Sequence, residues 1–224
     1  MAFNRSAVEE LSSLHREPDW LRARRLTSFG IYEGLAVPDT KRQEDWRQVD
    51  LKGLDLDGYA PFQQPNGTAP LGALETVGAT LRQRGTSPAV LSIAPELTRQ
   101  GVIFMPLAEA ARAHPELVQR YLFTGVKPEQ DKFAALHAAL FSGGSFLYVP
   151  DGVAIADPLV SQFWSAGSGA AVLPHSLVIG GKGSRFQYVD EFLSADRQEA
   201  ALASGSAEVF LEEGANVGYV ALQH

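Results

Sequence analysis

The sequence predicts an α+β protein, with a mainly helical domain over residues 1–142 followed by the first coils of a parallel β-helix, or β-solenoid, over residues 143–224. Three observations lead there. Apolar residues in the first part recur at helical spacing. From Ser145 onward that spacing gives way to short β-rich runs broken by Gly, Pro and Asp. Those runs then repeat with a constant period: Gly152, Gly183 and Gly214 stand 31 residues apart.

In the first part, Ser6 and Glu9 have the spacing of a capping box, in which each side chain satisfies the other residue's backbone N–H at a helix start. Pro18 is placed to open a second helix and Gly34 to close it in a left-handed conformation. Residues 53–70, rich in Gly, Pro, Asn and Gln, read as a loop. Leu71, Leu74, Gly78 and Leu81 form an apolar stripe that ends at Gly85. Residues 88–93 and 101–104 are candidate short strands. Leu107, Ala110, Ala111 and His114 have the spacing of a buried helix face, and Pro115 ends that helix or starts the next. A last helix is expected over about 129–142.

In the second part each repeat is a strand, a glycine turn and a strand. Leu147, Val178 and Val209 precede the three turn glycines by the same offset, and Ile155, Phe186 and Val217 follow them by another. A fixed period of this kind is the mark of stacked coils, in which equivalent apolar residues line one interior. An antiparallel sandwich has no reason to keep it. The alternation Ser184-Arg185-Phe186-Gln187-Tyr188 places Phe186 and Tyr188 inward and Arg185 and Gln187 outward. Val217–His224 reads as a strand without a cap, so the chain is expected to be interrupted there and to pair through that strand, as a homodimer.

Composition narrows the chemistry. The 224 residues carry a net charge of −7, the wrong sign for nucleic acid, and the cluster Arg22, Arg24 and Arg25 reads as a solvated helix face. There is no cysteine, hence no disulfide, thiolate ligand or cysteine nucleophile. No stretch approaches the ~20 apolar residues of a membrane span, and a cytoplasmic location is expected. No G-x-S-x-G elbow or Walker A loop occurs, and Gly180-Gly181-Lys182-Gly183-Ser184 falls on the repeating turn. None of His15, His114, His137, His175 and His224 has metal-ligand spacing to another. His114 and His137 read as core histidines, whereas His175, at a strand start, has no evident role and is open to exposure. Asp190-Glu191 and Glu212-Glu213 are strand neighbours that point to opposite faces, so neither makes an acid–base pair. The expectation is no enzyme, with no catalytic, cofactor-binding or metal residue.

Specific phrases carry a family resemblance. Asp131–Leu140, then Gly143-Gly144-Ser145-Phe146-Leu147-Tyr148-Val149-Pro150-Asp151-Gly152-Val153 and Asp157-Pro158-Leu159, resemble the segment by which SufB and SufD proteins enter their β-helix. Asp151 stands where that family commonly has a lysine. Tyr188-Val189-Asp190-Glu191 and Glu213–Tyr219 are similar as well, and Arg42–Leu51, after Glu17-Pro18-Asp19-Trp20-Leu21, resembles the SufD signature. The resemblance implies a right-handed β-helix and a noncatalytic scaffold subunit in iron–sulfur cluster assembly, with SufB-like and SufC-like partners and ATP used by SufC. It further implies that the residues for cluster chemistry and partner contact lie beyond this half, so none is transferred here and no cofactor is expected in it. The alternative is a self-assembling structural β-solenoid with no cluster role.

Overall fold

The computed structural model describes residues 2–62, 77–165, 167–194 and 201–224. Helix α1 (Arg5–Leu14) starts at Asn4, whose side chain accepts from the Ala7 amide at 2.9 Å. The expected Ser6–Glu9 box therefore does not form, because Asn4 already fills the cap and Ser6 instead donates to Glu10. Helix α2 (Asp19–Gly34) follows Pro18 as expected, but its last residue is not left-handed: the chain leaves through Leu35 in an extended conformation.

Arg25 on α2 corrects the idea of a solvated arginine face. It is fully buried, forks onto both Glu17 carboxylate oxygens at 2.6 and 2.7 Å, and donates to the carbonyls of Ala139 and Phe141. Its guanidinium also lies 3.5 Å from the centre of the Phe141 ring. Arg24 donates to the carbonyls of Leu122 and Gln119, and Arg22 pairs with Glu9 at 3.6 Å.

Leu81, expected on a helix, lies in strand β1 (Ala79–Arg84); Leu71 and Leu74 of the same stripe lie outside the described residues. The strand wins because Leu81 drops into the core while β1 is bonded on both sides, antiparallel to β2 (Val90–Ile93) and parallel to β5 (Leu159–Trp164). Between them come α3 (Pro95–Arg99), β3 (Ile103–Pro106), α4 (Leu107–Ala113), α5 (Pro115–Tyr121), α6 (Lys132–Leu140) and β4 (Gly143–Val149). Asp131 caps α6 by accepting from the Phe133 and Ala134 amides. After β5 the chain forms β6 (Ala171–Val172), β7 (Pro174–Gly180), β8 (Arg185–Leu193), β9 (Leu202–Ala203), β10 (Ser206–Leu211) and β11 (Asn216–Gln223).

These strands build mixed and parallel sheets: five strands in the order β11-β8-β5-β1-β2, four in the order β10-β7-β4-β3, and the pair β6-β9. β1 and β3 precede residue 143, so both larger sheets draw strands from either side of it. The ladders from β4 to β7 and β10, and from β8 to β11, are parallel, and the 31-residue offset recurs in side-chain pairs such as Ser145 with Ser176. Leu147, Val178 and Val209 align in one sheet. Phe186 aligns with Val217 in the other, and the Ile155 amide bonds the Arg185 carbonyl at 2.8 Å. All six of these apolar residues belong to or pack against one core between the sheets. Gly152, Gly183 and Gly214 each adopt a left-handed φ, of 71°, 66° and 73°, so the repeated glycine is a conformational requirement of the turn.

Helices α4, α5 and α6 cover the outer face of the four-stranded sheet, where Leu107, Ala110, Ala111, Val118 and Ala138 meet Phe146, Leu177 and Ile179. A third cluster joins α1, α2 and α6 through Val8, Leu11, Phe29, Leu136 and Leu140. Among the described residues no helix is long and apolar enough to cross a membrane.

Gly144 is the tightest point in the ladder. Its φ is 139°, and a Cβ there would land on the His175 backbone carbonyl across the strand pair. Gly144→Ala is expected to lower stability by about 3 kcal/mol or more. Gly152→Ala, which meets open space, should cost only ~1 kcal/mol. Urea unfolding of the two variants side by side checks the contrast.

Candidate functional site

Strand β7 positions the polar groups of the interior. All seven of its residues are buried, because it is flanked by β4 and β10 and covered on both faces. Alternation sends His175, Leu177 and Ile179 toward the helices and Ser176 and Val178 toward the five-stranded sheet. Two buried polar clusters result, one on each side of the strand.

On the helix side His175 is fully buried, which corrects the expectation that it was open to exposure. Its Nδ1 lies 3.0 Å from His137 Nε2, and its Nε2 lies 3.1 Å from Glu208 Oε2. The other nitrogen of His137, Nδ1, lies 3.0 Å from the Ser204 carbonyl. His137 is thus a core histidine bonded to backbone, as expected, and bonded to a second imidazole besides. Glu208 accepts three backbone amides: Phe123 at 2.6 Å on Oε2, and Gly125 and Val126 at 2.7 and 3.0 Å on Oε1. Phe123 delivers its amide from a left-handed conformation, φ 58°, a strain of about 1–2 kcal/mol for a residue with a Cβ. Its ring packs edge-on against His175 at 4.9 Å.

Charge is distributed unevenly along this chain of contacts. Burial would push the Glu208 carboxyl up, but the hydrogen bond and charge of His175, with the Val126 and Phe123 amides, outweigh it and hold Glu208 below its usual range. Burial, and then the neighbouring His175, depress His137 well below the ordinary histidine value.

On the other side, the Tyr188 hydroxyl sits among Ser145 at 2.5 Å, Ser161 at 2.8 Å, Ser176 at 3.1 Å and Asp190 Oδ1 at 2.9 Å. Ser176 donates to the same Asp190 oxygen at 2.7 Å, and Tyr219 donates to Oδ2 at 2.9 Å. Burial raises the Asp190 carboxyl, opposed by these hydroxyl donors. Burial and the Asp190 charge raise the phenols of Tyr188 and Tyr219. As alternation required, Asp190 points inward, while its neighbour Glu191 bonds Gln162 at 2.6 Å and His224 at 3.2 Å on the opposite face.

The remaining expected positions scatter. His114 stacks at 6.5 Å on the Phe146 ring, and His15 is half-buried near Arg25, with burial first and that charge second lowering it. Glu212 accepts from the Tyr121 hydroxyl at 3.2 Å. Lys182 lies in the turn, where its amide bonds Asp151. Among the described residues no group of three or more His, Cys, Asp or Glu side chains is arranged to hold a metal ion.

Comparison with known proteins places this architecture. Residues 92–160 match the family model described as the SufBD protein N-terminal region. The whole chain aligns with the iron–sulfur cluster assembly protein SufD of Bacillus subtilis at 31% identity over 231 residues, covering 53% of that protein. The chain is similar to proteins of the SufB/SufD family. Within that family the likeness is to SufD. Two further relatives are named iron–sulfur cluster assembly SufBD family proteins. One, from Staphylococcus saprophyticus, is 25% identical, and one, from Staphylococcus aureus strain USA300, is 24% identical; each alignment covers 97% of this chain and 50% of the relative. This SufD-like chain therefore spans about half the length of the curated relatives it matches. The family-model match runs from β2 to the first residues of β5 and includes α6, which carries His137.

The acid side of the stability curve follows from the two depressed groups. Each binds a proton more tightly in the unfolded chain, so its stabilisation is complete above the unfolded value and is lost as pH falls. Stability should begin to decline below 6.5, through His137 with a contribution of the same sign from His15, and decline further below 4.5 through Glu208. Thermal midpoints across this range check the sign, and His137→Gln should shrink the first step.

Proposed function

We propose that this SufD-like chain is part of a noncatalytic scaffold subunit in iron–sulfur cluster assembly, working in a SufBCD-type complex with SufB-like and SufC-like partners. The observation that carries the reading is the alignment of the entire chain with a protein named for that process as SufD. The parallel ladders at 31-residue register support reading the strands as stacked coils of a right-handed β-helix. Such a body offers long rigid surfaces for assembly. The buried clusters around His175 and Asp190 fit an inert scaffold, since their imidazoles, carboxylates and serine hydroxyls are spent on one another. With no cysteine, this segment supplies no thiolate to a cluster. ATP hydrolysis belongs, on this reading, to the SufC-like partner, and the location is cytoplasmic.

Self-association through β11 is proposed on separate grounds. β11 is an edge strand whose Val220 and Leu222 are 45% and 40% exposed. Sedimentation at rising concentration should show a discrete dimer of this chain. Growth without limit would favour the structural solenoid instead, and a strict monomer would remove the pairing.

Co-expression of the full-length protein with the SufB and SufC genes of its own source tests the main reading. Affinity purification is expected to recover all three together. A full-length protein that elutes alone under every salt condition counts against it.

A further inference from the structure

The contacts of His137, His175 and Glu208 fix a proton count. The Ser204 carbonyl only accepts, so His137 Nδ1 carries a hydrogen. Glu208 Oε2 already accepts the Phe123 amide and belongs to a carboxylate, so His175 Nε2 carries a hydrogen as well. Between the rings, His137 Nε2 and His175 Nδ1 face each other at 3.0 Å, and a third hydrogen must lie there, because two bare lone pairs at that distance in a dry interior would repel. Three hydrogens on four ring nitrogens make one of the two imidazoles an imidazolium.

We propose that the His137–His175 pair is a single-proton site, holding one imidazolium against the Glu208 carboxylate as a proton-dependent clamp. The clamp joins four parts of the fold: α6 through His137, β7 through His175, β10 through Glu208, and the turn at residues 123–126 through the three amides on Glu208. Of the two rings, His175 is the one that touches the carboxylate. The surrounding charges are few and assignable. From α2 come Arg25, already forked onto Glu17, and Arg24, which acts on Glu208; from β8 comes Asp190, whose charge acts on His175 across the strand. The 123–126 turn contributes backbone amides, and the Phe123 and Phe141 rings seal His175 at 4.9 and 6.0 Å. When the proton leaves, at least one of the three contacts must break, and Glu208 keeps its charge without the imidazolium that touches it.

Because the folded pair holds one proton while two free histidines hold between none and two, its contribution to stability is greatest near the ordinary histidine value of 6.5 and falls on either side. The acid limb is common to any buried histidine of depressed basicity; the alkaline limb is specific to the shared proton. Well above 6.5 the opened state holds almost no proton and the closed state holds one, so the slope of the opening equilibrium should approach about tenfold per pH unit.

Two measurements on the 224-residue chain decide the matter. Long-range proton–nitrogen correlation of the imidazoles at about pH 7.5, one unit above the free value, should show one buried ring with both nitrogens protonated and a second with only Nδ1 protonated. Two neutral rings would overturn the proposal. Hydrogen exchange at the Phe123, Gly125 and Val126 amides, corrected for base catalysis, should report a rise of about sixfold between about pH 7 and about pH 8. A flat opening equilibrium over that range would overturn it equally. Glu208→Gln, which leaves hydrogen-bonding atoms but no charge, should abolish the imidazolium signal at the first pH, and its persistence would count against the pairing. Should that variant not fold, the two wild-type measurements still decide.

Discussion

The side-to-side alternation of β7 is the constraint on which the interior depends. A strand buried on both faces has no solvent side to absorb an error, so each residue must match the cluster it meets. Moving β7 by one residue would carry His175 into the space between the sheets and Ser176 among the helices. Asp190 would lose a hydroxyl donor and Glu208 its imidazole, each in a buried place. The apolar rows would fail with them, since Leu177 and Val178 belong to different cores. Polar residues thus specify register here more sharply than the aliphatic ones, which tolerate exchange of similar shapes.

The two polar clusters solve the same problem in different ways. Around Asp190, neutral hydroxyls converge on one carboxyl, and burial still raises it above its ordinary value. Around Glu208, backbone amides and an imidazole hold the ionised form. One sheet thickness separates them, yet burial is overruled in one and prevails in the other. The difference lies in the donors: three amides fixed by a strained turn are pre-aimed, whereas the serine and tyrosine hydroxyls divide their hydrogens among one another.

Much of the architecture was legible in the residues. The change of period near Ser145, the glycine spacing, and the shared environment of Ile155, Phe186 and Val217 all rest on local patterns that repeat in the chain, and the structure places them in one core. The errors, Ser6 apart, share a cause. For Arg25, Leu81 and His175 the partners lie far away in sequence: Ala139 and Phe141 receive Arg25, β5 receives β1, and His137 receives His175, whereas Ser6 loses the cap to Asn4 two positions before it. One signal for His175 was available in principle. It and Ser176 stand one period after Gly144 and Ser145, inside the ladder that the repeat defines, and a residue there is enclosed whatever its polarity. Glu208 carried no comparable sign, because it occupies the row of Phe146 and Leu177, where the pattern asks for an apolar side chain.

Arg25 has a consequence for how the amino-terminal helices relate to the rest. Its guanidinium takes up the carbonyls at the end of α6, the segment that hands the chain to β4, and it does so while neutralised by Glu17 from the link between α1 and α2. The first two helices are therefore a lid for the sheet entrance rather than an appendage to it. A shortened protein lacking them would expose the Phe141 ring and strand two carbonyls at the doorway where the parallel ladders begin.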